Sequence, residues 1–458
     1  MFCFELIGES VSSSVSPKGL GPDSFKRELN CKRFHPAFVS PGEATHRQIQ
    51  SFSVQSEKEG NLLPPLTRGG RGGIKEERVY LSSAEKERRY RLLRERMKRE
   101  SLNAILLVGN SGIGGTSGPG SFRYLTDFYM IFDYGLLLFF AESDPVMWVG
   151  SDLTQYHAGK YSWIKDVRVN SRSAQEVVKV VKQREKAKGK LGIVSLYSLP
   201  AAVFQSLRDE LPSWELIDAN PILLDLRFSK SEEEQVLLRK AAEIADGSFQ
   251  EVLKMIGPGV KGREIIGCLE GFHRRQGSDR TFNIIGSGPF PREDKNDSPI
   301  NLWSYAEWEV QKGDVVVFEI TTVYGGYWNQ LNRAVSVGRQ NPELSLSCDA
   351  CLKTLQAGVK AMRPGVRTSE FVATMDRCAR DMGYELKTPV GHYVGLDLVE
   401  ARVNPDIDLI LQPGASAIVH PILSKTQGDD LFWGQTWLVT ENETVSLNST
   451  GNELVVVS

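Results

Sequence analysis

Residues 315–335, VVVFEITTVYGGYWNQLNRAV, decide the fold of this chain. Two apolar runs flank the pair Gly325-Gly326, and this pattern predicts two antiparallel strands joined by a tight turn. Each predicted strand carries one polar side chain, Glu319 on the first and Gln330 on the second. Paired metal-binding carboxylates would fit such positions, but only Glu319 is a carboxylate. Since an unpaired carboxylate is costly to bury, Glu319 needs a partner.

An internal repeat surrounds this hairpin. The segment MIGPGVKGREIIGCLEGFHRRQG (255–277) aligns without a gap with AMRPGVRTSEFVATMDRCARDMG (361–383), at an offset of 106 residues. The shared Pro-Gly and terminal Gly positions predict two helix-turn-helix units in two similar halves related by a pseudo-twofold axis.

The strands that follow each unit also correspond. Gly313 precedes Glu319 by six residues, and Gly414 precedes His420 by six residues. Equivalent strands of the two halves therefore carry Glu319 and His420 at equivalent places. A site between the halves is expected, because ligands favour crevices at such junctions.

The remaining sequence divides into three parts. Residues 1–76 lack sustained hydrophobic periodicity, and we expect either a disordered segment or an over-extended reading frame. Residues 77–228 alternate strand-like and helix-like segments, which indicates an α/β domain. Residues 229–458 form the second domain, since a capping box at Ser231–Glu234 begins a long helix after the boundary.

The composition points to no polymer or membrane partner. The net charge is −2 and the sequence pI is about 6.4, so no general attraction to nucleic acid or anionic lipid is expected. The start of the chain shows no secretory signal, and the longest apolar run is far shorter than the roughly 20 residues of a membrane span. A cytoplasmic location is the default prediction.

The cysteines predict no disulfide framework. Six are scattered along the chain, which fits a reducing compartment. Cys348 and Cys351 have the spacing of half a zinc site, but no second pair follows. Buried helix cysteines are the favoured interpretation.

The C-terminal part, residues 229–458, resembles the pita-bread metallopeptidase family, which includes methionine aminopeptidase, aminopeptidase P, prolidase and the metal-free creatinase. The segments KGDVVVFEITTVYGGYWNQLNR, GHYVGLD, QPGASAIVHP and TWLVTENETVSL carry the resemblance. Residues 77–228, with FRYLTDF, resemble the creatinase/prolidase-type N-terminal domain. The resemblance implies an α+β pita-bread domain behind an α/β domain, and a homodimer is the family's habit.

The resemblance also locates a site, but most metal ligands are replaced. Active members hold two divalent ions with two Asp, one His and two Glu. The corresponding residues here are Glu319, Gln330, His392, His420 and Gly434. Four ligand carboxylates become one, and Gln330 and Gly434 occupy the metal-bridging positions. A dinuclear centre is therefore not expected.

The sequence therefore predicts either no cofactor or a single divalent ion of unknown identity. Glu319, His392 and His420 have the composition of a mononuclear two-His, one-carboxylate site. The alternative is a metal-free hydrogen-bonded cluster, in which either histidine as an imidazolium would partner Glu319. A proton-handling histidine of the family is also replaced, by Val399.

Three further residues are predicted to bind substrate. Trp328 and Trp433 flank ligand positions and could line an apolar stacking pocket, although core packing is equally compatible with the sequence. Arg333 lies near Gln330 and is included as a substrate-binding candidate, with support of strand pairing as the stronger alternative.

Two functions remain open at this stage. The first is an aminopeptidase-P-like or creatinase-like hydrolase of a C–N bond in a small peptide or small nitrogenous substrate. In it, His392 or His420 would be the general acid/base, Glu319 would hold the imidazole and Gln330 would position the carbonyl. The second is an inactive pseudo-peptidase that binds a small molecule or peptide.

Overall fold

The computed structural model describes residues 81–458, apart from residues 111–118, 131, 133, 170–173, 186–187, 293–301, 303–305 and 427. Residues Arg78–Ser458 form one compact unit. The predicted N-terminal extension, residues 1–76, lies outside the described residues.

Helices and strands alternate in the first part of this unit and segregate in the second. The helices are α1 (Ser83–Arg99), α2 (Gly120–Thr126), α3 (Asp152–Tyr161), α4 (Ala174–Arg184), α5 (Ala201–Glu210), α6 (Asn220–Phe228), α7 (Glu232–Leu253), α8 (Gly262–Arg275), α9 (Pro342–Ala361) and α10 (Thr368–Asp381). The strands are β1 (Ala104–Asn110), β2 (Tyr134–Phe140), β3 (Val146–Val149), β4 (Asp166–Val169), β5 (Gly189–Val194), β6 (Trp214–Asp218), β7 (Arg280–Gly288), β8 (Val315–Tyr324), β9 (Tyr327–Val337), β10 (Glu385–Lys387), β11 (Gly391–Tyr393), β12 (Ala401–Arg402), β13 (Ser416–Val419), β14 (Ile422–Ser424), β15 (Leu431–Phe432), β16 (Gly434–Val439), β17 (Thr444–Ser446) and β18 (Val455–Val457).

The first sheet belongs to the predicted α/β domain. Its order is β4-β3-β2-β1-β5-β6, with β1 pairing antiparallel to β2 and parallel to β5. The helix α1 packs beside it through its buried side chains Tyr90, Leu93 and Met97, whereas Leu92 is only half-buried. The apolar faces of the strands and helices thus supply the core of this part.

Helix α1 is rich in arginine, and such side chains usually lie on a solvated helix face, but Arg89 is fully buried. Its guanidinium donates to Glu85, Tyr327 Oη and the Tyr124 carbonyl oxygen, at 2.7, 2.9 and 2.9 Å. Charge pattern alone could not reveal this, because the partner Tyr327 is distant in sequence. Arg89 consequently ties α1 to the start of β9.

The second sheet contains the predicted hairpin. Its main path runs β12-β11-β13-β16-β9-β8-β7, and β17 and β18 pair with β16 and β9. Strands β8 and β9 pair in an unbroken antiparallel register from Val315 opposite Ser336 to Tyr324 opposite Tyr327. The turn residues Gly325 and Gly326 have φ angles of 56° and 90°. Residues with a Cβ rarely adopt such positive φ angles, whereas glycine adopts them readily.

The predicted repeat is confirmed in the backbone. Helices α8 and α10 each follow a turn whose glycine has positive φ, 90° at Gly259 and 87° at Gly365. Gly259 N donates to Val310 O at 2.9 Å, and Gly365 N donates to Leu411 O at 2.8 Å. Equivalent long-range hydrogen bonds therefore anchor both helix-turn-helix units, which makes the second domain α+β with an internal repeat.

Other local predictions also hold. Ser231 and Glu234 form the capping box of α7, and Cys348 and Cys351 are buried free thiols in α9. Within the described ranges of 81–458, no helix combines the length and apolar character needed to cross a bilayer.

Candidate functional site

Several polar residues share one face of the second sheet. Glu319 lies opposite Asn332, and Thr321 lies opposite Gln330, across β8 and β9. The face continues through Gly434, opposite Asn332, and through His392, opposite Ile418. Because directly opposed residues project to the same side of a sheet, these residues define one surface. We call it the cleft face: Glu319, Thr321, Gln330, Asn332, His392, Ile418, His420, Gly434 and Thr436.

Glu319 and Gln330 form a direct pair on this face. Gln330 Nε2 donates to Glu319 Oε1 at 2.8 Å and to Thr321 Oγ1 at 3.2 Å. Both amide hydrogens are thus engaged, and Gln330 Oε1 is buried without a hydrogen-bonding partner among the described residues. The predicted role of Gln330 as a donor to a substrate carbonyl is therefore not supported, since its available atom is an acceptor.

The environment of Glu319 favours its neutral form. The side chain is half-buried, and burial raises the pKa of its carboxyl to about 7, while the hydrogen bond from Gln330 acts in the opposite direction. Both protonation states are accessible near neutrality. A carboxyl with this property can donate or accept a proton at physiological pH.

The two histidines lie together at one end of the cleft face. Their ring centroids are 5.8 Å apart in an edge-to-face arrangement. Burial lowers the pKa of His392 to about 3, with help from His420, and burial lowers the pKa of His420 to about 4. Both rings are therefore neutral at pH 7, and the Nδ1 atoms of both are buried without partners among the described residues.

These findings change the predicted roles. Neither histidine is an imidazolium that could neutralise Glu319, because desolvation opposes the charge on each ring. The partner of Glu319 is the Gln330 amide instead. The group on the cleft face with a pKa near 7 is the carboxyl, so Glu319 fits the general acid/base role better than either imidazole.

The cleft face does not fit the family's pair of divalent ions. An amide stands at Gln330, and Gly434 offers no side chain. A Cβ at Gly434 would overlap the Val419 carbonyl oxygen and lie 2.5 Å from His420 Cβ. Residues 419 and 420 therefore occupy the space that a metal-binding side chain at position 434 would need.

The predicted single-ion set is not assembled either. Across the described parts of 81–458, no group of three or more His, Cys, Asp or Glu side chains is arranged to hold a metal. Three strands separate β8, which carries Glu319, from β11, which carries His392, and Glu319 is hydrogen-bonded by Gln330. The donor set supports hydrogen bonding rather than coordination.

Trp328 occupies the cleft side of β9. It lies opposite Val323, is almost fully buried and packs with Val394, Leu398 and Ile418. This apolar cluster borders the polar residues. The predicted position of Trp328 beside the site therefore agrees with the geometry.

Arg333 and Trp433 do not line the cleft, so their prediction as substrate-binding residues is wrong. Arg333 lies opposite Phe318 on the other face and donates to Gly434 O at 2.9 Å and to Gln435 Oε1 at 2.6 Å. Its Cζ lies 5.0 Å from the centroid of the Trp433 ring, which is fully buried. The alternation of side chains along a strand places odd residues of β9 away from Gln330. Arg333 supports strand pairing, the alternative considered above.

The sequence reasoning missed Asn332. Its side chain is fully buried on the cleft face, and neither amide atom has a partner within the described residues. Its position two residues after Gln330 is a signal that could have found it, because residues i and i+2 of a strand share a face.

A buried charge network behind the cleft was also missed. Arg227 of α6 contacts Asp397 and Glu400, both at 2.7 Å, and Lys230 contacts Glu400 at 2.8 Å. Asp397 also accepts from Gly120 N of α2 at 2.9 Å. The network therefore fixes the segment after His392 against elements of the first domain.

Comparisons with known proteins agree with this architecture. The profile of the Metallopeptidase family M24 matches residues 236–441, and that of the Creatinase/Prolidase N-terminal domain matches residues 89–229. An Xaa-Pro dipeptidase of Pyrococcus horikoshii is 26% identical over 270 residues, covering 58% of this chain and 74% of that protein. Ectoine hydrolase of Halomonas elongata is 24% identical over 366 residues, covering 74% and 88%.

The fold itself matches a solved aminopeptidase. The crystal structure of the X-Pro aminopeptidase from Thermotoga maritima gives a TM-score of 0.71 at 20% identity, covering 80% of this chain and 99% of that chain. The pita-bread fold and its creatinase-type N-terminal domain, both predicted from the sequence, are thereby confirmed.

Proposed function

Because this chain belongs to the metallopeptidase family M24, we propose that it hydrolyses a C–N bond in a small peptide or small nitrogenous compound, without a dinuclear metal centre. The relatives named Xaa-Pro dipeptidase and ectoine hydrolase support the general assignment of this chain as a hydrolase. The observation that carries the finer proposal is the Glu319–Gln330 pair, whose carboxyl has a pKa of about 7.

Glu319 acts as the general acid/base in this proposal. As a carboxylate, it takes a proton from an attacking water, whose oxygen bonds to the substrate carbon. The protonated carboxyl then returns the proton to the leaving nitrogen as the C–N bond breaks. Gln330 Oε1, the unpartnered acceptor, orients a substrate N–H. The neutral rings of His392 and His420 supply further hydrogen-bonding atoms.

A pseudo-peptidase that binds its ligand without turnover is the second candidate. The closure of the backbone around Gly434 favours it, since this closure deletes a ligand position without replacing it. The buried unpartnered atoms of Gln330 and Asn332 are compatible with binding alone.

The test combines metal analysis with a substrate panel. Purified protein is examined by mass spectrometry for bound metal and assayed with Xaa-Pro dipeptides and N-methylated amidines, before and after treatment with a chelator. We expect turnover that survives chelation and falls by about 10² to 10⁴ in kcat when Glu319 is replaced by Gln. The exposed Glu243→Gln variant, which removes a surface carboxylate beside Lys240, is the matched control.

Each outcome separates the candidates. Chelation-resistant turnover lost only in Glu319→Gln supports the hydrolase. Turnover that requires metal, with more than about half an equivalent bound and lost in His392→Ala, contradicts the metal-free chemistry. Ligand binding without turnover of any panel member leaves the pseudo-peptidase.

A further inference from the structure

A buried carboxamide lies at the centre of the cleft face. The side chain of Asn332 is fully buried, and neither its Oδ1 nor its Nδ2 has a hydrogen-bonding partner within the described part of the chain. Asn332 lies directly opposite Glu319 of β8 and opposite Gly434 of β16. Since a buried donor or acceptor is costly to leave unpaired, both atoms favour a ligand that supplies the missing partners.

Another asparagine of the same strand shows how such a carboxamide is paired. Asn329 lies three residues earlier, projects to the opposite face of β9 and is also fully buried. Its Nδ2 donates to Asn448 Oδ1 at 3.2 Å, and its Oδ1 accepts from Asn448 Nδ2 at 3.3 Å. Each carboxamide thus uses a donor and an acceptor on one edge. Asn332 has the same edge on the cleft face.

This edge distinguishes amides by their geometry. In a trans peptide unit the N–H and the C=O point in opposite directions, so one trans amide satisfies only one of the two Asn332 atoms. An amide held cis in a small ring presents its N–H and its C=O side by side. The cis form is rare for ordinary peptide bonds, and an Xaa-Pro bond has no N–H. Asn332 therefore favours a cyclic amide over a linear peptide.

The neighbouring side chains suit the same ligand. Gln330 Oε1 is a further buried acceptor without a partner among the described residues, so it can accept another N–H. Beside it, Trp328 and Ile418 belong to a buried apolar cluster, against which the half-buried Phe282 packs. Phe282 lies opposite Thr321 and thus on the cleft face. An apolar wall beside a polar edge matches a small ring that carries both carbon and amide atoms.

We propose that Asn332 recognises a cyclic amide, such as a cyclic dipeptide, through two hydrogen bonds, and that the amide held in this way is the bond that is hydrolysed. The reaction rests on the proposed hydrolase, whereas the recognition rests on Asn332 itself. Opposed side chains of neighbouring strands lie about 5 Å apart, which places the held amide beside Glu319.

The ring opens at the expense of one water molecule. Glu319 takes a proton from the water, and the water oxygen bonds to the amide carbon. The proton then passes to the amide nitrogen as the C–N bond breaks. The product is one linear chain with a new carboxyl group and a new amine. Asn332 Nδ2 donates to the amide oxygen while negative charge develops there.

The experiment measures recognition separately from turnover. Calorimetry uses the Glu319→Met variant, which removes the reacting carboxyl without placing a second amide opposite Asn332. The ligands are the cyclic dipeptide of two alanines, its N,N′-dimethyl derivative, linear N-acetylalanine N-methylamide and the primary carboxamide N-acetylalaninamide. We expect the cyclic dipeptide to bind at least about tenfold more tightly than the N,N′-dimethyl derivative and the N-methylamide. It should also bind more tightly than the primary carboxamide, which loses more conformational freedom on binding.

Two asparagine variants of β9 form a matched pair in this background. Asn332→Leu should abolish the preference for the cyclic dipeptide over its N,N′-dimethyl derivative. It should not lower the thermal midpoint, because no described partner is lost. Asn329→Leu breaks the pair with Asn448, so it should lower the thermal midpoint and leave the ligand preference unchanged.

The possible failures are distinguishable. Equal binding of the cyclic dipeptide and its N,N′-dimethyl derivative, tighter binding of either linear compound, no binding at all, or a preference that survives Asn332→Leu overturns the inference. The four-ligand comparison needs no asparagine variant, so a misfolded variant does not block the test.

Turnover by the wild-type protein separates this inference from the hydrolase. Ring opening is followed by mass spectrometry as the appearance of the linear dipeptide. If the binding preference holds but neither the ring nor any panel member is cleaved, the hydrolase proposal fails and the recognition of cyclic amides stands. Cleavage of linear peptides without ring opening overturns the held amide as the reacting bond. Cleavage of linear peptides without the binding preference leaves the hydrolase and overturns the recognition.

Discussion

Two buried polar regions share the segment 391–400, which carries His392 of one and Asp397 and Glu400 of the other, and they differ in how their groups are paired. In the network behind the cleft, Arg227, Lys230, Asp397 and Glu400 each have an opposite charge within 2.8 Å. On the cleft face, Glu319 is paired with a neutral amide, and buried atoms of Gln330, Asn332, His392 and His420 have no partner among the described residues.

The two regions also differ in what sets the pKa values of their buried carboxyl groups. Lys230 and Arg227 hold the pKa of Glu400 below its ordinary value although burial acts against ionisation. On the cleft face the effect of burial is the largest, and the pKa of Glu319 rises instead. A region that completes its own ion pairs fixes the fold, whereas unmatched buried groups are available to a bound molecule.

The largest expected effect comes from breaking the paired region. Arg227→Met removes the cation between Asp397 and Glu400 and leaves the buried Asp397 without its ion-pair partner, while Glu400 keeps Lys230, so the free energy of unfolding should fall by about 3–5 kcal/mol. Urea denaturation followed by circular dichroism measures this. Arg208→Met, at an exposed position of α5, is the control and should change stability by less than about 0.5 kcal/mol. Similar small losses in both variants would contradict the importance of the network.

The pH dependence of stability tests the unpaired region. The pKa of Glu319 is about 7 in the folded protein and 4.5 is its ordinary value. Stability from this group is therefore fully present below pH 4.5 and is lost as the pH rises through about 7. At about 1.4 kcal/mol per unit, the loss amounts to about 3 kcal/mol. The Glu319→Gln variant should not show this pH-dependent loss of stability.

The difference in the free energy of unfolding between wild type and Glu319→Gln isolates the contribution of Glu319 ionisation. His392 and His420 have lowered pKa values, so they destabilise the fold as the pH falls below 6.5, which is the opposite sign. Their contribution is common to both proteins and cancels in the difference. Denaturation of both proteins between pH 4 and 8 measures how this difference in unfolding free energy depends on pH. A difference that does not vary with pH would show that Glu319 ionises normally.

Gly434→Ala tests whether the cleft has closed over the lost ligand position. The new methyl group would meet the Val419 carbonyl oxygen and the His420 side chain, so we expect a loss of about 1–3 kcal/mol from overpacking. Gly267→Ala in α8 is the control, since its Cβ meets nothing within 4 Å and a helical alanine should stabilise by up to about 1 kcal/mol. An unchanged thermal midpoint in Gly434→Ala would mean that the site remains open there.

The smallest effect is expected at Thr321. Thr321→Val deprives Gln330 Nε2 of its second acceptor, which should cost about 1 kcal/mol and raise the pKa of Glu319 further through loss of a polar neighbour. Thr322→Val is the matched variant, because Thr322 Oγ1 donates to Ala241 O instead. Equal shifts of the Glu319 titration in both variants, followed by NMR, would contradict the proposed network.

The sequence predicted the fold well because the signals were local. The Gly-Gly turn, the capping box at Ser231 and the repeated helix-turn-helix units depend on neighbouring residues, and all appear where expected. The positions Glu319, Gln330 and His392 followed from motifs whose spacing was retained. Arg333 and Trp433 are near site residues in the sequence, but their side chains pack together away from Gln330 because side chains alternate along a strand.

What the sequence determined by itself is the frame and its missing charges: the hairpin, the repeat, and an amide and a glycine where the resembled family has carboxylates. Only the tertiary structure decided how the remaining groups interact. It paired Glu319 with Gln330 rather than with a histidine, buried Arg89, and left the Asn332 amide unpaired among the described residues. The reason is physical: desolvation and hydrogen-bonding partners depend on residues far apart in the chain, and these determine the protonation states of the site.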